Sequence, residues 1–340
     1  MEYQHQNQNV EENNNILLIL QYEKNNVSIN GTFPREIDKY NLYELLVKLR
    51  QETCEYDITD NYECVFTLKD DETSCIVRSI QEDQILKTKI TLKKKDKLIR
   101  LKSFWEVWQK NAEFRSRLNN SLDGCEEKWK LSYKYGYKMA TTFMPAYAKE
   151  LYKYFGCPQI VLDPCSGWGD RMLGAEVANI QKYIGFDPNK SLRPGYSDIM
   201  KLCGHMPVEL DINSIRFSNS YEIYSEPFEI GARHLQDNSV DFIFTSPPFY
   251  DYEEYTDTNP KYNNWIKEFY EPLFIECSRV IKPNSYVCIY MNDTSAGKIE
   301  DFMKDRVDKI TKLVLKDINI GFKGIWSKQI RKIWVFEKIE

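Results

Sequence analysis

From residue 159 onward, short apolar runs alternate with amphipathic stretches, which predicts parallel strands joined by crossover helices. The strand-like runs are Gln159–Leu162, Tyr183–Phe186, Tyr221–Glu226, Val240–Thr245 and Tyr286–Met291. Helical spacing appears at Met172, Leu173, Ala175 and Val177, and again over Leu192–Cys203 and Trp265–Arg279. Residues Val280–Ser285 read as a turn into the fifth strand. A further helix is expected over Ala296–Ile310, then a terminal hairpin from Lys312–Ile320 and Lys332–Glu337.

Upstream the pattern changes. Ile16–Tyr22, Glu63–Leu68, Ser74–Ile80 and Lys87–Leu92 read as short strands, separated by turn residues such as Asn25-Asn26 and Asp70-Asp71. Leu42, Leu45, Leu46 and Leu49 share one side of a helix expected over Asp38–Gln51. These segments predict a small α+β accessory domain over residues 16–102. Residues 103–340 then form the main domain, led by helices through Phe155. Ser103, with Glu106 three positions on, has the pattern of a capping box. Trp105, Trp108, Phe114, Leu118 and Leu122 follow at helical spacing, suited to packing or to stacking on bases, and Tyr133, Tyr135 and Tyr137 fit either core or surface.

The chain has 340 residues, 42% of them hydrophobic and 29% charged, as in a water-soluble globular protein. No apolar run approaches the ~18 residues that span a bilayer. Residues Met1–Asn15 are rich in Asn, Gln and Glu and lack the basic and apolar regions of a secretory leader, so a disordered tail and an intracellular location, cytoplasmic or nuclear, are expected. Nine cysteines form no C-x-x-C pair, which fits reduced thiols and gives no zinc pattern. Three histidines (His5, His205 and His234) leave little scope for histidine catalysis. The net charge of −5 does not favour polyanions, but residues 87–102 hold eight basic side chains against the single acid Asp96. Such a stripe attracts phosphates. Its alternation also reads as a half-buried strand with a solvated lysine face, and both can hold at once.

Two loops carry the candidate chemistry. After the first strand come Asp163-Pro164-Cys165-Ser166-Gly167-Trp168-Gly169-Asp170-Arg171. Gly167 and Gly169 let backbone amides approach a ligand, and the loop feeds a helix N-terminus. Met172 stands where a dinucleotide fingerprint needs a third glycine, which argues against a pyrophosphate there. The acid Asp163 suits a cofactor with a cationic amino group instead. Asp187, 24 residues on, ends the second strand, where doubly wound folds hold ribose hydroxyls. The second loop, Thr245-Ser246-Pro247-Pro248-Phe249, closes the strand through Val240, Phe242, Ile243 and Phe244. Its prolines cannot donate to a ladder and stiffen the turn. A small hydroxyl before them and an aromatic ring after them can grip a planar group with an exocyclic amine.

In that order and spacing, these elements resemble the S-adenosylmethionine-dependent amino-methyltransferases that act on nucleic acid bases, the N6-adenine and N4-cytosine group, over roughly residues 130–340. The resemblance implies a Rossmann-like class I methyltransferase sheet of seven strands, one antiparallel. It implies cofactor contacts from Asp163, Pro164, Cys165, Ser166, Gly167, Gly169, Arg171 and Asp187, with Glu226 and Phe228 near the adenine, or Glu229 in that role. Phe143 and Pro145 match the segment that caps the methionine end. Ser246, Pro247, Pro248 and Phe249 would form the catalytic motif. The family uses Ser-Pro-Pro more for cytosine and Asp- or Asn-Pro-Pro more for adenine, so both bases stay open.

The resemblance also implies a nucleic acid partner, DNA ahead of RNA. Tyr250 and Tyr252 are candidate base contacts, and Lys93, Lys94 and Lys95 candidate phosphate contacts. About 75 residues separate the two loops, filled by ordinary βα units, so by elimination target recognition falls to residues 1–130. A silent methyltransferase-like subunit and a protein glutamine methyltransferase are alternatives. Relatives of the latter favour Asn at the place of Ser246.

Overall fold

The computed structural model describes residues 41–94, 97–121, 124–249, 252–255, 264–294, 298–325 and 329–340. The expected tail 1–15, the strand Ile16–Tyr22, the first residues of the helix 38–51, Leu122, Lys95 and Tyr250 lie outside them, as do the side chains of Lys93 and Lys94.

Seven strands form the centre of the sheet: β1 (Ile160–Asp163), β2 (Lys182–Phe186), β3 (Glu222–Tyr224), β4 (Val240–Thr245), β5 (Ile281–Tyr290), β6 (Ile320–Lys323) and β7 (Ile330–Lys338). Their order across the sheet is β3-β2-β1-β4-β5-β7-β6. All neighbours from β3 to β5 run parallel, and β7 lies antiparallel to both β5 and β6. Successive connections go one way from β1 to β3 and the other way from β4, so the chain reverses between β1 and β4. Open α/β sheets form their ligand crevice at such a reversal, beyond the carboxyl ends of the strands.

Alternation along each strand divides the core into two layers. Val161, Tyr183, Phe242, Phe244 and Cys288 face the helices Pro145–Tyr154, Asp170–Val177 and Arg193–Leu202. Leu162, Ile184, Ile243, Val287 and Ile289 face Glu271–Val280 and Glu300–Asp305. Both faces of β4 are buried, as a central parallel strand requires, and each such Ile or Phe contributes about 1.5–3 kcal/mol by leaving water.

The seven-strand expectation falls short, because among the described residues the sheet has 12 strands. Tyr62–Thr67 runs parallel to β6 and pairs with Glu55–Thr59 at that edge. Ser214–Phe217 and Pro207–Leu210 extend the other edge as antiparallel ribbons, and Leu313–Leu315 pairs with β7. The sequence reading assigns no strand to 206–218, yet Val208 and Leu210 alternate with acids in strand fashion.

Where the sequence divides 16–102 from 103–340, the structure runs a strand of the former into the sheet of the latter. Leu46, Leu49, Phe66 and Ile76 join the same apolar cluster as Tyr152 and Phe242. Ser74–Ile80 is a correction: residues Cys75–Ile80 are helical. Their β-branched residues suggest a strand, but Cys75, Ile76, Val77 and Ser79 all have a buried surface to fill, and tertiary packing overrides local preference. The helix expected over Ala296–Ile310 is two short ones, Glu300–Asp305 and Val307–Ile310. Of the turn expected over Val280–Ser285, Val280 ends the helix Glu271–Val280 and the rest lies within β5, where the pairing with β4 shifts register and Asn284 takes φ +59°.

The capping box at Ser103 is present. Phe104, Trp108, Phe114 and Tyr137 form a separate buried aromatic cluster, so that stripe is packing. Tyr133 is fully exposed.

Candidate functional site

The tips of β1 and β4 are adjacent, at the same end of the sheet. The amide of Cys165 donates to Thr245 Oγ1 at 3.1 Å, which fastens the two loops together. Beyond them lies a cavity of about 380 Å³. Pro164, Cys165, Gly167 and Asp187 line it on the β1–β2 side, and Ser246, Pro247, Pro248 and Phe249 on the β4 side.

The β1 loop is held by backbone and side-chain bonds. Ser166 N–H donates to the Phe186 carbonyl at 2.8 Å, and the Tyr196 hydroxyl to the Gly167 carbonyl at 2.5 Å. Gly167 and Gly169 adopt φ of +56° and +100°, which suits glycine and lets the loop turn into the helix Asp170–Val177. Gly167 N–H reaches Asp187 Oδ2 at 3.0 Å, and Asn189 N–H reaches its Oδ1 at 2.8 Å. Burial raises the Asp187 carboxyl to about 7, with the two amides pulling the other way.

Asp163 does not line this cavity. It is fully buried, receives Arg171 Nε at 2.8 Å and Nη2 at 3.3 Å, and accepts the Tyr183 hydroxyl at 2.7 Å. Arg171 also donates to the Cys165 carbonyl, and its guanidinium lies 5.7 Å from the Phe143 ring centre. Arg171 and Phe143 both line the cavity. Thus Asp163 and Arg171 brace the loop from behind.

Ser166, Gly169 and Pro145 do not line the cavity. Glu226 points elsewhere and bonds His234 at 2.9 Å, while Phe228 and Glu229 do line the cavity. On the β4 side, Tyr270 donates to the Pro248 carbonyl at 2.8 Å and fixes the second proline.

Residues that sequence reasoning passed over complete the wall: Trp168, Asp170, Tyr290, Glu253, Tyr255, Phe322 and Arg331. Tyr290 ends β5 beside β4, so the strand-tip rule that picked Asp187 would have found it. Arg331 and Phe322 come from β6 and β7, which no local motif marks. Phe143 packs edge-on against Tyr290 at 5.2 Å and Phe322 at 5.5 Å.

Glu253-Glu254, just beyond Phe249, pairs antiparallel with the strand Lys89–Lys94, which pairs with Lys97–Arg100. Thr91 N–H donates to the Tyr252 carbonyl at 2.7 Å, and Lys89 Nζ lies 3.6 Å from Glu254. Tyr255 rests edge-on against Trp168 at 5.6 Å. The lysine hairpin is therefore stitched to the segment that walls the cavity. Tyr252 itself does not line it, and takes a hydrogen bond from Lys138 at 2.8 Å.

No protein-family model matches the chain. A stretch of 61 residues, 17% of the chain, is 38% identical to the type II methyltransferase M.HpaI of Haemophilus parainfluenzae, and spans only 19% of that relative's length. Among solved structures, a methyltransferase from Geobacter sulfurreducens aligns with 68% of this chain and 97% of its own, at 9% identity and a TM-score of 0.38. A geranyl diphosphate methyltransferase solved with S-adenosylmethionine aligns over 66% and 94%, at 10% identity and 0.40. TrmN from Thermus thermophilus aligns over 57% and 49%, at 14% and 0.36. Likenesses this remote carry no inference about chemistry. Among the described residues no helix is long and apolar enough to cross a membrane.

Proposed function

We propose that the chain is an enzyme that transfers a methyl group from S-adenosylmethionine to the exocyclic amine of adenine (N6) or cytosine (N4) in DNA. The observation that carries this reading is the single cavity shared by the two strand tips, with carboxylates on the β1–β2 side and Ser246-Pro247-Pro248-Phe249 on the other. The 61-residue likeness to a type II methyltransferase supports it.

The residues present fit the cofactor. Its ribose hydroxyls suit Asp187, whose carboxylate is held by two amides at the end of β2. Its adenine suits the apolar surface of Phe228 and Pro227, and its cationic end an acid-lined wall beside Phe143. When bound, the cofactor supplies a methyl group on a sulfonium, with a good leaving group built in.

The chain's own task is to orient the acceptor. A base amine is a weak nucleophile because its lone pair is delocalised into the ring. It donates hydrogen bonds to Ser246 Oγ and the Pro247 carbonyl, both acceptors, and this frees the lone pair for attack. Phe249 stacks on the base that has left its helix, worth ~1–3 kcal/mol. Positioning supplies most of the rate, and the methylated amine, acidic once cationic, loses its extra proton to solvent, so no strong general base is required. The hairpin Lys89–Arg100 supplies phosphate attraction next to the site.

Incubation with labelled S-adenosylmethionine and separate DNA, RNA and protein pools, followed by digestion to nucleosides or amino acids and mass spectrometry, tests the reading. Methylated adenine or cytosine from DNA is the expected product. Label in RNA alone would move the same chemistry to RNA, and no label in any pool would leave a silent subunit.

A further inference from the structure

The acid at the tip of β1 was the natural acceptor for a cationic amino group, yet Asp163 is already engaged by Arg171 and Tyr183. A second acid of the same loop faces the other way. Asp170 opens the helix Asp170–Val177 and lines the cavity, with only 2% of its surface exposed. The backbone amides of Phe143 and of Asp170 itself are turned toward its carboxylate. Its Oδ1 is buried with no hydrogen-bond partner among the described residues. A buried carboxylate oxygen without a donor is costly, and such atoms call for an explanation.

We propose that Asp170, in place of Asp163, receives the α-ammonium group of the cofactor's methionine tail; the inference rests on the reading of this cavity as an S-adenosylmethionine site. An ammonium offers three donors and a full positive charge, which satisfies an orphaned acceptor and ionises it together. Arg171 cannot fill that role, since its guanidinium is turned to Asp163 and the Cys165 carbonyl. Arg171, Arg78 on the helix Cys75–Ile80, and Tyr196 are the charged or titratable groups felt at Asp170. Even with both arginines nearby, burial dominates and lifts the carboxyl to about 8. In the ligand-free protein at pH 7 Asp170 is thus mostly protonated. A bound ammonium drives its proton off to solvent, so binding and proton release are coupled.

Isothermal titration at pH 7, run in two buffers of different ionisation enthalpy, tests this. S-adenosylmethionine is compared with an analogue that keeps the sulfonium and carboxylate but lacks the amino group. Wild type should prefer the natural cofactor by about 10- to 100-fold, the range of one charge-assisted hydrogen bond. It should release most of one proton more with the natural cofactor than with the analogue, because Asp187, raised to about 7, responds to either compound. Asp170→Asn is nearly isosteric and loses a buried acid, so folding is retained, which circular dichroism checks. The variant should lose most of the preference and the extra proton released with the natural cofactor, while still binding the analogue. Unchanged preference and proton release in the variant would overturn the role of Asp170 and leave the cofactor reading standing. Failure of wild type to bind either compound would overturn both.

Discussion

Arg171 holds Asp163 through two contacts, 2.8 and 3.3 Å, with the two side chains 5% and 0% exposed. The pair ties the first turn of the helix Asp170–Val177 to the end of β1 and sets the path of the glycine loop between them.

Loss of one partner should therefore register first as instability. Asp163→Ala leaves a buried guanidinium uncompensated and should cost about 3–5 kcal/mol in denaturant unfolding. The double variant Asp163→Ala/Arg171→Met should recover a large part of that loss. If Asp163→Ala unfolds at the wild-type midpoint, the pair is not bracing the loop.

Asp170 predicts the opposite sign. Its folded pKa, about 8, lies above the ordinary carboxylate value, so the unfolded chain holds fewer protons than the folded one between pH 4 and 8. Its contribution to stability is whole below pH 4 and is lost as pH rises through 8. Asp170→Asn should accordingly stabilise the ligand-free protein by roughly 1–3 kcal/mol at pH 8.5, and by nothing near pH 4. Thermal melts across that range would show the gain or its absence.

Phe249 stands alone among the catalytic candidates in offering a ring to the target base. Phe249→Ala should slow single-turnover methylation about 5- to 150-fold, the equivalent of ~1–3 kcal/mol of stacking, with cofactor affinity unchanged. A parallel drop in cofactor affinity would mean that the ring serves the cofactor side.

The lysine hairpin makes a prediction about salt. Lys97 is exposed on the strand Lys97–Arg100. Lys97→Ala should weaken nucleic-acid binding regardless of sequence, and reduce the slope of log affinity against log salt by about 0.9 for duplex DNA. An unaltered slope would remove this hairpin from the phosphate interface.

Gly174 tests the packing behind the site. A Cβ there would come within 2.6 Å of Ala148 Cβ and 2.7 Å of the Pro145 carbonyl. Gly174→Ala should cost about 1–3 kcal/mol by pushing apart two helices that back the cavity, measurable as a lower melting temperature.

The two loops were legible because their chemistry is local: glycines, prolines and strand-end acids constrain the backbone where they stand. The parallel sheet followed from strand–helix alternation, whereas the strand order and its reversal point did not. What the sequence did not disclose was which acid lines the cavity. Asp163 and Asp170 are seven positions apart in one loop, and the choice between them turns on where the Arg171 guanidinium points. The outer strands escaped for a related reason. Tyr62–Thr67 looks like part of a self-contained domain until β6, more than 250 residues later, provides its partner. Cys75–Ile80 has the composition of a strand, and only its burial beneath neighbouring helices makes it a helix.

That long-range pairing has an evolutionary corollary. An enzyme whose target reader is a bolt-on cassette can exchange it by recombination and acquire a new specificity in one step. Here the front of the chain contributes a rung to the scaffold itself, and shearing it away would bare the hydrogen-bonding edge of β6, an invitation to aggregate. Exchange of that front segment as a unit would therefore disturb the very sheet that carries the cavity.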